Sequence, residues 1–469
     1  MSPRRPTGVL HVVESWPPVV SGYTSRGWEV VGAQQCDGLV APSVLVSSRQ
    51  RVYDDRPLLH PAGLAPVGGV ARVRQAPVSS SERRRRRLRQ WAIDGRALRR
   101  ATETAVAELG AQVVHGHFSS TIGAACAGAA RAAGVPFVAE VRFDLAGAAV
   151  AQTLQRVPPR LTEGPERAAR RLFERHLARA DAVVSASSSL AGLLLRADPD
   201  LAGRLTTAPN GVDVRRFSPR PPSGPQAEEA LGVRRRLGLA DDAVVVGSTA
   251  KMLRYEGLDL LVQAVGRLAA GPPTSRPRVH LLLVGGGPEE TPLRELAART
   301  GAPVTFTGLV PPDAVAAHLR AMDVFAVPRR DVSVTRYAAP LKLLEALAAG
   351  LPVVASPVGD IPELLGAPAG DAEQGPAGGA REVPRGLLAP AGDVGRLVAA
   401  LEAVAGDAGL RGRLGAAARG WALAAATWEA TAAITTGVYE RVLPAGSGGV
   451  GGTDGVVPGA AASPADRLS

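Results

Sequence analysis

Two lysines stand out among the residues that could do chemistry, because of 54 basic residues only Lys251 and Lys342 are lysine. Each comes just past an apolar run that is typical of a buried strand, VVVGST before Lys251 and DVFAVP before Lys342. Lys342 also belongs to a helix that opens at Leu341, and a helix N-terminus offers free N–H groups and partial positive charge to an anion. We interpret both lysines as phosphate-binding residues; the alternative is two ordinary surface lysines.

A carboxylate and a glycine pair accompany these cations. Glu345 follows Lys342 by one helical turn and could accept hydrogen bonds from sugar hydroxyls, although a helix-stabilising role is the alternative. Gly286 and Gly287 lie in VGGGPEE, where Pro288 and Glu290 break the GxGxxG pattern of dinucleotide cofactors. Binding of a hydride-transfer cofactor is therefore not indicated, and the glycines instead let a base or ribose approach the backbone.

The first half of the chain offers a second set of polar residues near strand ends. Gly22 lies in the loop after the first strand, His117 ends VVHGH, and Glu140 and Arg142 end VPFVAEVR. A charged pair at the end of an apolar strand is costly unless it is used, so it favours a functional role for both residues. A lone histidine is more often structural, and that alternative stays open for His117.

The elements that must position these residues alternate between strands and helices, and the pattern occurs twice. Such alternation predicts βαβ units and an α/β fold with two Rossmann-like, doubly wound parallel sheets. Ligands bind beyond the carboxyl ends of strands in such sheets, so we expect two domains facing each other across a cleft. The predicted parts are an N-terminal Rossmann-like domain at 1–213, a linker at 214–240, a second Rossmann-like domain with the two lysines at 241–410, a helical segment at 411–443 and a disordered tail at 444–469.

Composition narrows the class of protein and its location. The chain has 469 residues, of which 46% are apolar and 21% charged, as in folded soluble proteins. Cys36 and Cys126 are too few for a disulfide framework and fit a reducing, cytoplasmic setting. We expect no bound metal, since no Cys/His spacing suggests one and Asp241-Asp242 lie in the predicted linker. The apolar N-terminal stretch is strand-sized, and no run reaches the ~18–20 residues of a membrane span.

The net charge of +11 comes from arginine and has several interpretations. They are a compositional bias, contact with an anionic membrane surface, and phosphate-bearing substrates. The run SERRRRRLRQ at 81–90 is the one charge cluster, and it is either a solvated face or a peripheral membrane contact. No basic stripe interleaved with aromatic residues is present, so no nucleic-acid partner is expected.

Taken together, these residues resemble the retaining glycosyltransferases of family 4, which have the GT-B fold. The resemblance covers roughly residues 8–443, and its most specific stretch is LKLLEALAAGLPVVASPVGDIPELL. It implies that Lys251 replaces the usual diphosphate-binding arginine and that Glu345 is the ribose ligand. It also implies that Arg142 stands where many members carry a histidine near the transferred sugar, and that Gly22 lets the acceptor or the diphosphate approach. The last helix, with Trp428, resembles one that crosses back onto the first domain.

The chain departs from the family pattern at two positions. Glu256 stands where much of the family has a second phosphate-binding lysine, and Tyr337 stands where the first glutamate of the paired motif is usual. Members with a PLK helix start share the second departure, and there Lys342 compensates.

The resemblance implies attack of an acceptor hydroxyl on the anomeric carbon of a nucleotide-sugar donor, with retention and without metal or other cofactor. Positive charge and helix-end amides stabilise the leaving diphosphate, an electrostatic effect that can dominate catalysis. The stretches SGYTSRG and PFVAEVRF resemble a subgroup acting on exopolysaccharides or cell-surface glycans, which implies a glycan or lipid-linked acceptor. Two alternatives stay open: a non-catalytic accessory protein, suggested by Tyr337 and Glu256, and a nucleotide-sugar epimerase, for which no paired acid and base is evident.

Overall fold

The computed structural model describes residues 6–16, 22–47, 72–75, 87–117, 120–142, 171, 173–271, 278–367 and 381–444. These residues form two compact units. The first unit contains the described residues up to 211 together with 428–444, and the second contains those from 212 to 427. None of the helices in these ranges combines the length and the apolar character that crossing a bilayer requires.

The first unit is built on a seven-stranded parallel sheet with the strand order β3-β2-β1-β4-β5-β6-β7. Its strands are β1 (Thr7–Val13), β2 (Val40–Val46), β3 (Arg72–Gln75), β4 (Val113–His117), β5 (Phe137–Val141), β6 (Ala182–Ser185) and β7 (Leu205–Thr207). Its helices are Gly22–Asp37, Arg87–Leu109, Ser120–Ala133, Ser188–Ala197 and Trp428–Val442. Strand order reverses between β1 and β4, which is the topological switch point where doubly wound sheets bind ligands.

The second unit is also built on a seven-stranded sheet, with the order β10-β9-β8-β11-β12-β14-β13, and only β13 runs antiparallel to its neighbour. Its strands are β8 (Val244–Thr249), β9 (Val279–Val284), β10 (Val304–Phe306), β11 (Val324–Val327), β12 (Val353–Ala355), β13 (Arg381–Val383) and β14 (Gly386–Leu388). Its helices are Pro225–Arg236, Leu258–Ala269, Glu290–Thr300, Val315–Arg320, Ser333–Arg336, Leu341–Ala348, Ile361–Leu365, Val394–Gly406 and Ala408–Ala425. The switch point lies between β8 and β11.

Hydrophobic runs explain both sheets. Parallel strands are covered on both faces, so they are nearly continuous in apolar and β-branched residues. β11 reads VFAV and is buried throughout. The helix Leu258–Ala269 has apolar residues at helical spacing, and it buries Leu258, Leu261, Val265 and Leu268. These observations confirm the predicted fold of two doubly wound α/β units.

In the second unit, Gly257 is required because two backbone segments approach each other closely at this residue. Gly257 precedes the helix Leu258–Ala269 with φ at 70°, in the left-handed region. A Cβ atom at this position would lie 1.9 Å from the carbonyl oxygen of Pro328, just after β11. The loop after β8 and the loop after β11 therefore touch through their backbones.

The segment predicted as a linker is packed into the second unit. Residues Pro225–Arg236 form a helix that buries Ala230 and Val233, and Arg234 donates to the Asp323 carboxylate over 2.6 Å. At the other end of the chain, Ala408–Ala425 belongs to the second unit, whereas Trp428–Val442 belongs to the first. The predicted tail after Pro444 lies outside the described residues.

Candidate functional site

In the second unit, the predicted donor residues meet at the carboxyl ends of the adjacent strands β9, β8 and β11. Lys251 lies two residues beyond β8 and is exposed. Its neighbours anchor its loop to the glycine loop beyond β9, since the amide of Ala250 donates to Val284 over 2.9 Å and that of Met252 to Gly286 over 3.0 Å. The structure thus brings Lys251 and the glycines together.

The glycine loop fits this backbone contact only without side chains. A Cβ atom on Gly287 would lie 2.5 Å from the carbonyl oxygen of Met252. One on Gly286 would lie 3.3 Å from a carboxylate oxygen of Glu290. Pairing between the loops therefore requires glycine at position 287, whatever ligand the loop approaches, whereas at position 286 the flexible Glu290 side chain could move.

Lys342 is tied to a carboxylate that the sequence did not assign to it. Its ammonium donates to Glu256 Oε2 over 2.5 Å. Arg329 donates to the same carboxylate, with its Nε 3.2 Å from Oε2 and its Nη2 3.3 Å from Oε1. Burial acts to raise the pKa of Glu256, but Lys342 and Arg329 outweigh it and lower that pKa to about 2. The family pattern implies a lysine at position 256. This chain instead has Glu256 there, and its carboxylate holds two cations, Lys342 and Arg329, near the end of β11.

Arg329 is the residue that sequence reasoning missed. It lies two residues beyond the end of β11 and is almost completely buried. Its side chain also donates to the carbonyl oxygen of Ala338 over 3.0 Å, which holds the segment leading into the helix Leu341–Ala348. The sequence did contain a signal for Arg329, namely the two arginines that follow the apolar run DVFAVP. They come just after a predicted strand, as Lys251 does.

The helix Leu341–Ala348 begins after Pro340, and no side chain caps its N-terminus. Glu345 is half-buried on the turn after Lys342. Burial raises the pKa of Glu345 to about 7, with Arg216 and Lys342 acting in the opposite direction. Tyr337 is half-buried at the end of the short helix Ser333–Arg336.

In the first unit, Glu140 lies at the centre of a buried polar cluster on β1, β4 and β5. Its Oε1 atom accepts from Arg142 Nε over 2.5 Å and from Arg26 Nε over 3.1 Å. Burial acts to raise the pKa of Glu140, but Arg142 and Arg26 hold it well below its usual range. The predicted pair of Glu140 and Arg142 is therefore a real ion pair, and Arg26 is a partner that the sequence did not indicate.

His117 lies within this cluster and touches both predicted neighbours. Arg142 Nη2 contacts His117 Nδ1, and His117 Nδ1 lies 3.5 Å from Glu140 Oε1. Burial, and then the charge of Arg142, lower the pKa of His117 to about 3, so its imidazole is neutral at pH 7. Gly22 begins the helix Gly22–Asp37, and nothing more is described of its surroundings.

Three histidines of this cluster lie together. His11, His115 and His117 are completely buried, and each offers a nitrogen atom within 4.8 Å of the others. The sequence-based expectation of no metal was drawn from local spacing, which does not reveal this group because β1 and β4 pair only in the sheet. The alternation of His115 and His117 along β4 was the available signal.

Two glycosyltransferase family models match the chain. The model described as "Glycosyltransferase Family 4" matches residues 26–216, and that described as "Glycosyl transferases group 1" matches residues 240–407. Together they cover most of both units.

Curated relatives include a D-inositol 3-phosphate glycosyltransferase of Stackebrandtia nassauensis, 35% identical over 280 residues, which are 58% of this chain and 56% of the relative. A GDP-mannose-dependent monoacylated α-(1-6)-phosphatidylinositol monomannoside mannosyltransferase of Corynebacterium glutamicum is 32% identical over 47% of this chain and 52% of its own length. The chain spans about half the length of the curated relatives that it matches.

Solved structures with the same fold include a glycosyltransferase of Rickettsia africae, with a TM-score of 0.66 at 14% identity, covering 94% of this chain and 99% of that one. An Anabaena protein solved in complex with UDP and glucose has a TM-score of 0.63 at 18% identity, covering 93% of this chain and 99% of that one. At these identities the likeness shows the fold alone.

Proposed function

The chain belongs to the family 4 glycosyltransferases, and from this premise we propose that it moves a sugar from a nucleotide-sugar donor to a hydroxyl of a glycan or lipid-linked acceptor, with retention at the anomeric carbon. The observation that carries the proposal is the grouping of Lys251, the glycine loop and Lys342 with Glu345 at the switch point of the second unit.

We assign the donor to this grouping in the second unit. In this proposal the diphosphate binds to Lys251, beyond the end of β8, and to the uncapped N-terminus of the helix Leu341–Ala348 with Lys342, which follows β11. Lys251 and the helix N-terminus both offer positive charge. The base and ribose bind against the glycine loop at Gly286 and Gly287, and the Glu345 carboxylate accepts hydrogen bonds from the ribose hydroxyls. Each of these contacts uses a group that the structure leaves exposed or half-buried, apart from the buried Gly286.

The chemistry we assign to these residues is stabilisation of the leaving diphosphate. Negative charge develops on that group as the bond from the anomeric carbon breaks, and preorganised cations lower the barrier without reorganising. Glu256 fixes Lys342 and Arg329 before the donor arrives, so their charges need no rearrangement. In the first unit we assign Arg142, which keeps slight exposure, to contact with a sugar substrate, and Glu140 and the buried His117 to holding Arg142 in place.

The relatives suggest what the acceptor carries. Their names specify inositol phosphate and phosphatidylinositol mannoside as acceptors, and GDP-mannose as one donor. We propose an acceptor hydroxyl next to a phosphorylated headgroup, used at the cytoplasmic face of an anionic membrane. In this proposal the membrane contact is made by the arginine run at 83–87. The side chains of these arginines lie outside the described part of the structure. Replacing those arginines should weaken binding to anionic vesicles and leave binding of the donor unchanged.

The first test is thermal stabilisation by UDP, GDP, ADP and NAD. A ligand at about 100 times its dissociation constant adds roughly 2.7 kcal/mol to the stability of the folded state. We expect stabilisation by one nucleoside diphosphate, and a clearly smaller stabilisation at the same ligand concentration in Lys251→Ala and Lys342→Ala. No shift with any nucleotide would favour a non-catalytic accessory protein, the alternative suggested by Tyr337 and Glu256 in the sequence. A shift with NAD alone would contradict the transferase.

A further inference from the structure

The last helix of the first unit places a phenol among the three buried histidines. Tyr439 is only 1% exposed, and its hydroxyl oxygen lies 2.7 Å from His115 Nδ1. The side-chain amide nitrogen of Gln34 donates to the same hydroxyl oxygen over 3.2 Å. Gln34 can only donate through this nitrogen, so among the described contacts His115 Nδ1 is the acceptor within reach of the Tyr439 hydroxyl proton, and the hydroxyl donates to it.

This direction fixes the protonation of His115. An imidazole that accepts at Nδ1 while neutral carries its proton on Nε2. Burial, followed by the repulsion that a protonated His117 would exert, holds the pKa of His115 well below its ordinary value, so the ring is neutral. Its Nε2 atom lies 3.5 Å from Glu140 Oε2. Neither atom has a closer hydrogen-bond partner among the described residues, so the Nε2 proton faces the carboxylate.

The contacts of His117 and His11 also indicate rings that carry their proton on Nε2. A guanidinium has donors and no lone pair, so Arg142 Nη2 must donate to His117 Nδ1. The neutral His117 then carries its proton on Nε2 and donates it to His11 Nδ1 over 2.9 Å. His11 in turn carries its proton on Nε2.

His11 Nε2 and the Gln34 amide oxygen are the last donor and acceptor of the cluster to be assigned. His11 Nε2 and the Gln34 amide oxygen are both buried without a hydrogen bond of good geometry to another described residue. Burial and then His115 lower the pKa of His11, while a side-chain interaction with Gln34 acts to raise it. His11 therefore directs its proton to the Gln34 oxygen, and each of the three histidines has one nitrogen that donates and one that accepts.

This assignment argues against a metal ion at the three histidines. A metal ligand needs a free nitrogen lone pair, and all three Nδ1 lone pairs are already used. A divalent cation would also add two positive charges where Arg26 and Arg142 already outnumber Glu140 among the residues in contact.

We infer that Tyr439 and Gln34 are positioning residues, which hold His115 and His11 in their Nε2-protonated forms and thereby fix Glu140, Arg142 and His117 at the carboxyl ends of β4 and β5. The helix that carries Tyr439 is thus part of the machinery of the first unit, although Tyr439 stands 324 residues after His115. The effect on turnover depends on the proposed function, whereas the protonation of the histidines does not.

The test is Tyr439→Phe in the full chain, because it keeps the ring and removes only the hydroxyl. Thr435→Val is the matched control: it removes a buried hydroxyl one turn earlier on the same helix, where Thr435 bonds only to the backbone of its own helix in the described contacts. Long-range ¹H–¹⁵N spectra of the histidine rings should show three neutral rings protonated at Nε2 in the wild type and in Thr435→Val. In Tyr439→Phe the His115 signals should move towards a mixture of tautomers.

Turnover provides the second measurement. Loss of the buried hydrogen bond that holds His115 against Glu140 should lower kcat about tenfold in Tyr439→Phe, with the affinity for the nucleoside diphosphate unchanged. Unchanged ring spectra in Tyr439→Phe, or a kcat equal to that of Thr435→Val, would overturn the inference. So would stoichiometric stabilisation of the wild type by Zn²⁺ that is lost in His115→Ala. If the wild type itself transfers no sugar, the proposed function fails, and the spectra still decide the assignment of the protons.

Discussion

The pKa of Glu345 makes a prediction that can be worked through quantitatively. In the folded protein burial raises this pKa to about 7 from an ordinary value of 4.5. Between these two pH values the folded state binds more protons than the unfolded state, so stability falls as the pH rises through this window. At about 1.4 kcal/mol for each pH unit, the full penalty reaches up to about 3 kcal/mol above pH 7 and is absent below the unfolded pKa.

The perturbation is Glu345→Gln, which removes the titrating group and keeps its shape. We expect the variant to be more stable than the wild type by up to about 3 kcal/mol near pH 8, and equal to it near pH 4.5. For a unit of this size each kcal/mol is worth about 2–4 °C in the melting temperature. Urea unfolding curves of both proteins across this range give the difference directly, since other titrating groups cancel. A flat difference curve, or a variant less stable at pH 8, would refute the reasoning.

The same group predicts how the donor binds. Ribose hydroxyls donate more strongly to an ionised carboxylate than to a neutral carboxyl group. Glu345 is ionised in about a tenth of the molecules at pH 6 and about nine tenths at pH 8. The wild type should therefore bind its nucleoside diphosphate about tenfold more tightly at the higher pH. The Glu345→Gln variant keeps only the dependence due to the nucleotide itself, which calorimetric titration of both proteins would show. A full dependence retained by the variant would remove Glu345 from the ribose site.

Three further predictions follow from other contacts. Glu256→Gln leaves Lys342 and Arg329 buried without their carboxylate, so we expect a loss of roughly 3–5 kcal/mol in urea unfolding; a change below about 1 kcal/mol would show that water or another group replaces it. Gly257→Ala should cost far more stability than Gly238→Ala, because both glycines have positive φ but only Gly257 faces a backbone carbonyl oxygen at 1.9 Å; equal melting temperatures would contradict this close approach. Lys251→Ala should leave stability unchanged, since Lys251 is exposed, and weaken binding of the nucleoside diphosphate about tenfold; unchanged affinity would place the phosphate elsewhere.

The sequence predicted the features that depend on local pattern. Apolar runs alternating with amphipathic helices were enough to predict two doubly wound sheets, and they correctly placed Lys251 and Arg142 just past strand ends and Lys342 at a helix start. Such inferences succeed because the hydrophobic period and the position of a residue after a strand are properties of neighbouring residues.

Features that depend on contacts between distant segments could not be predicted. Glu256 was interpreted as a lost phosphate cation, and only the fold shows that it pairs with Lys342, 86 positions later. The three histidines come from β1 and β4, which the sheet places side by side, and Tyr439 reaches them from the last helix. The segment at 214–240 resembled a linker in composition, but its helix buries alanine and valine against the second unit.

The most direct test of the central claim is a transfer assay with the purified chain, with UDP- and GDP-sugars as donors and phosphatidylinositol or inositol phosphate as acceptors. We predict release of one nucleoside diphosphate together with a product heavier by one sugar residue, in which NMR shows the anomeric configuration of the donor, and loss of both in Lys342→Ala. Conversion of one nucleotide sugar into another without any acceptor product, or a product of inverted configuration, would contradict the proposal.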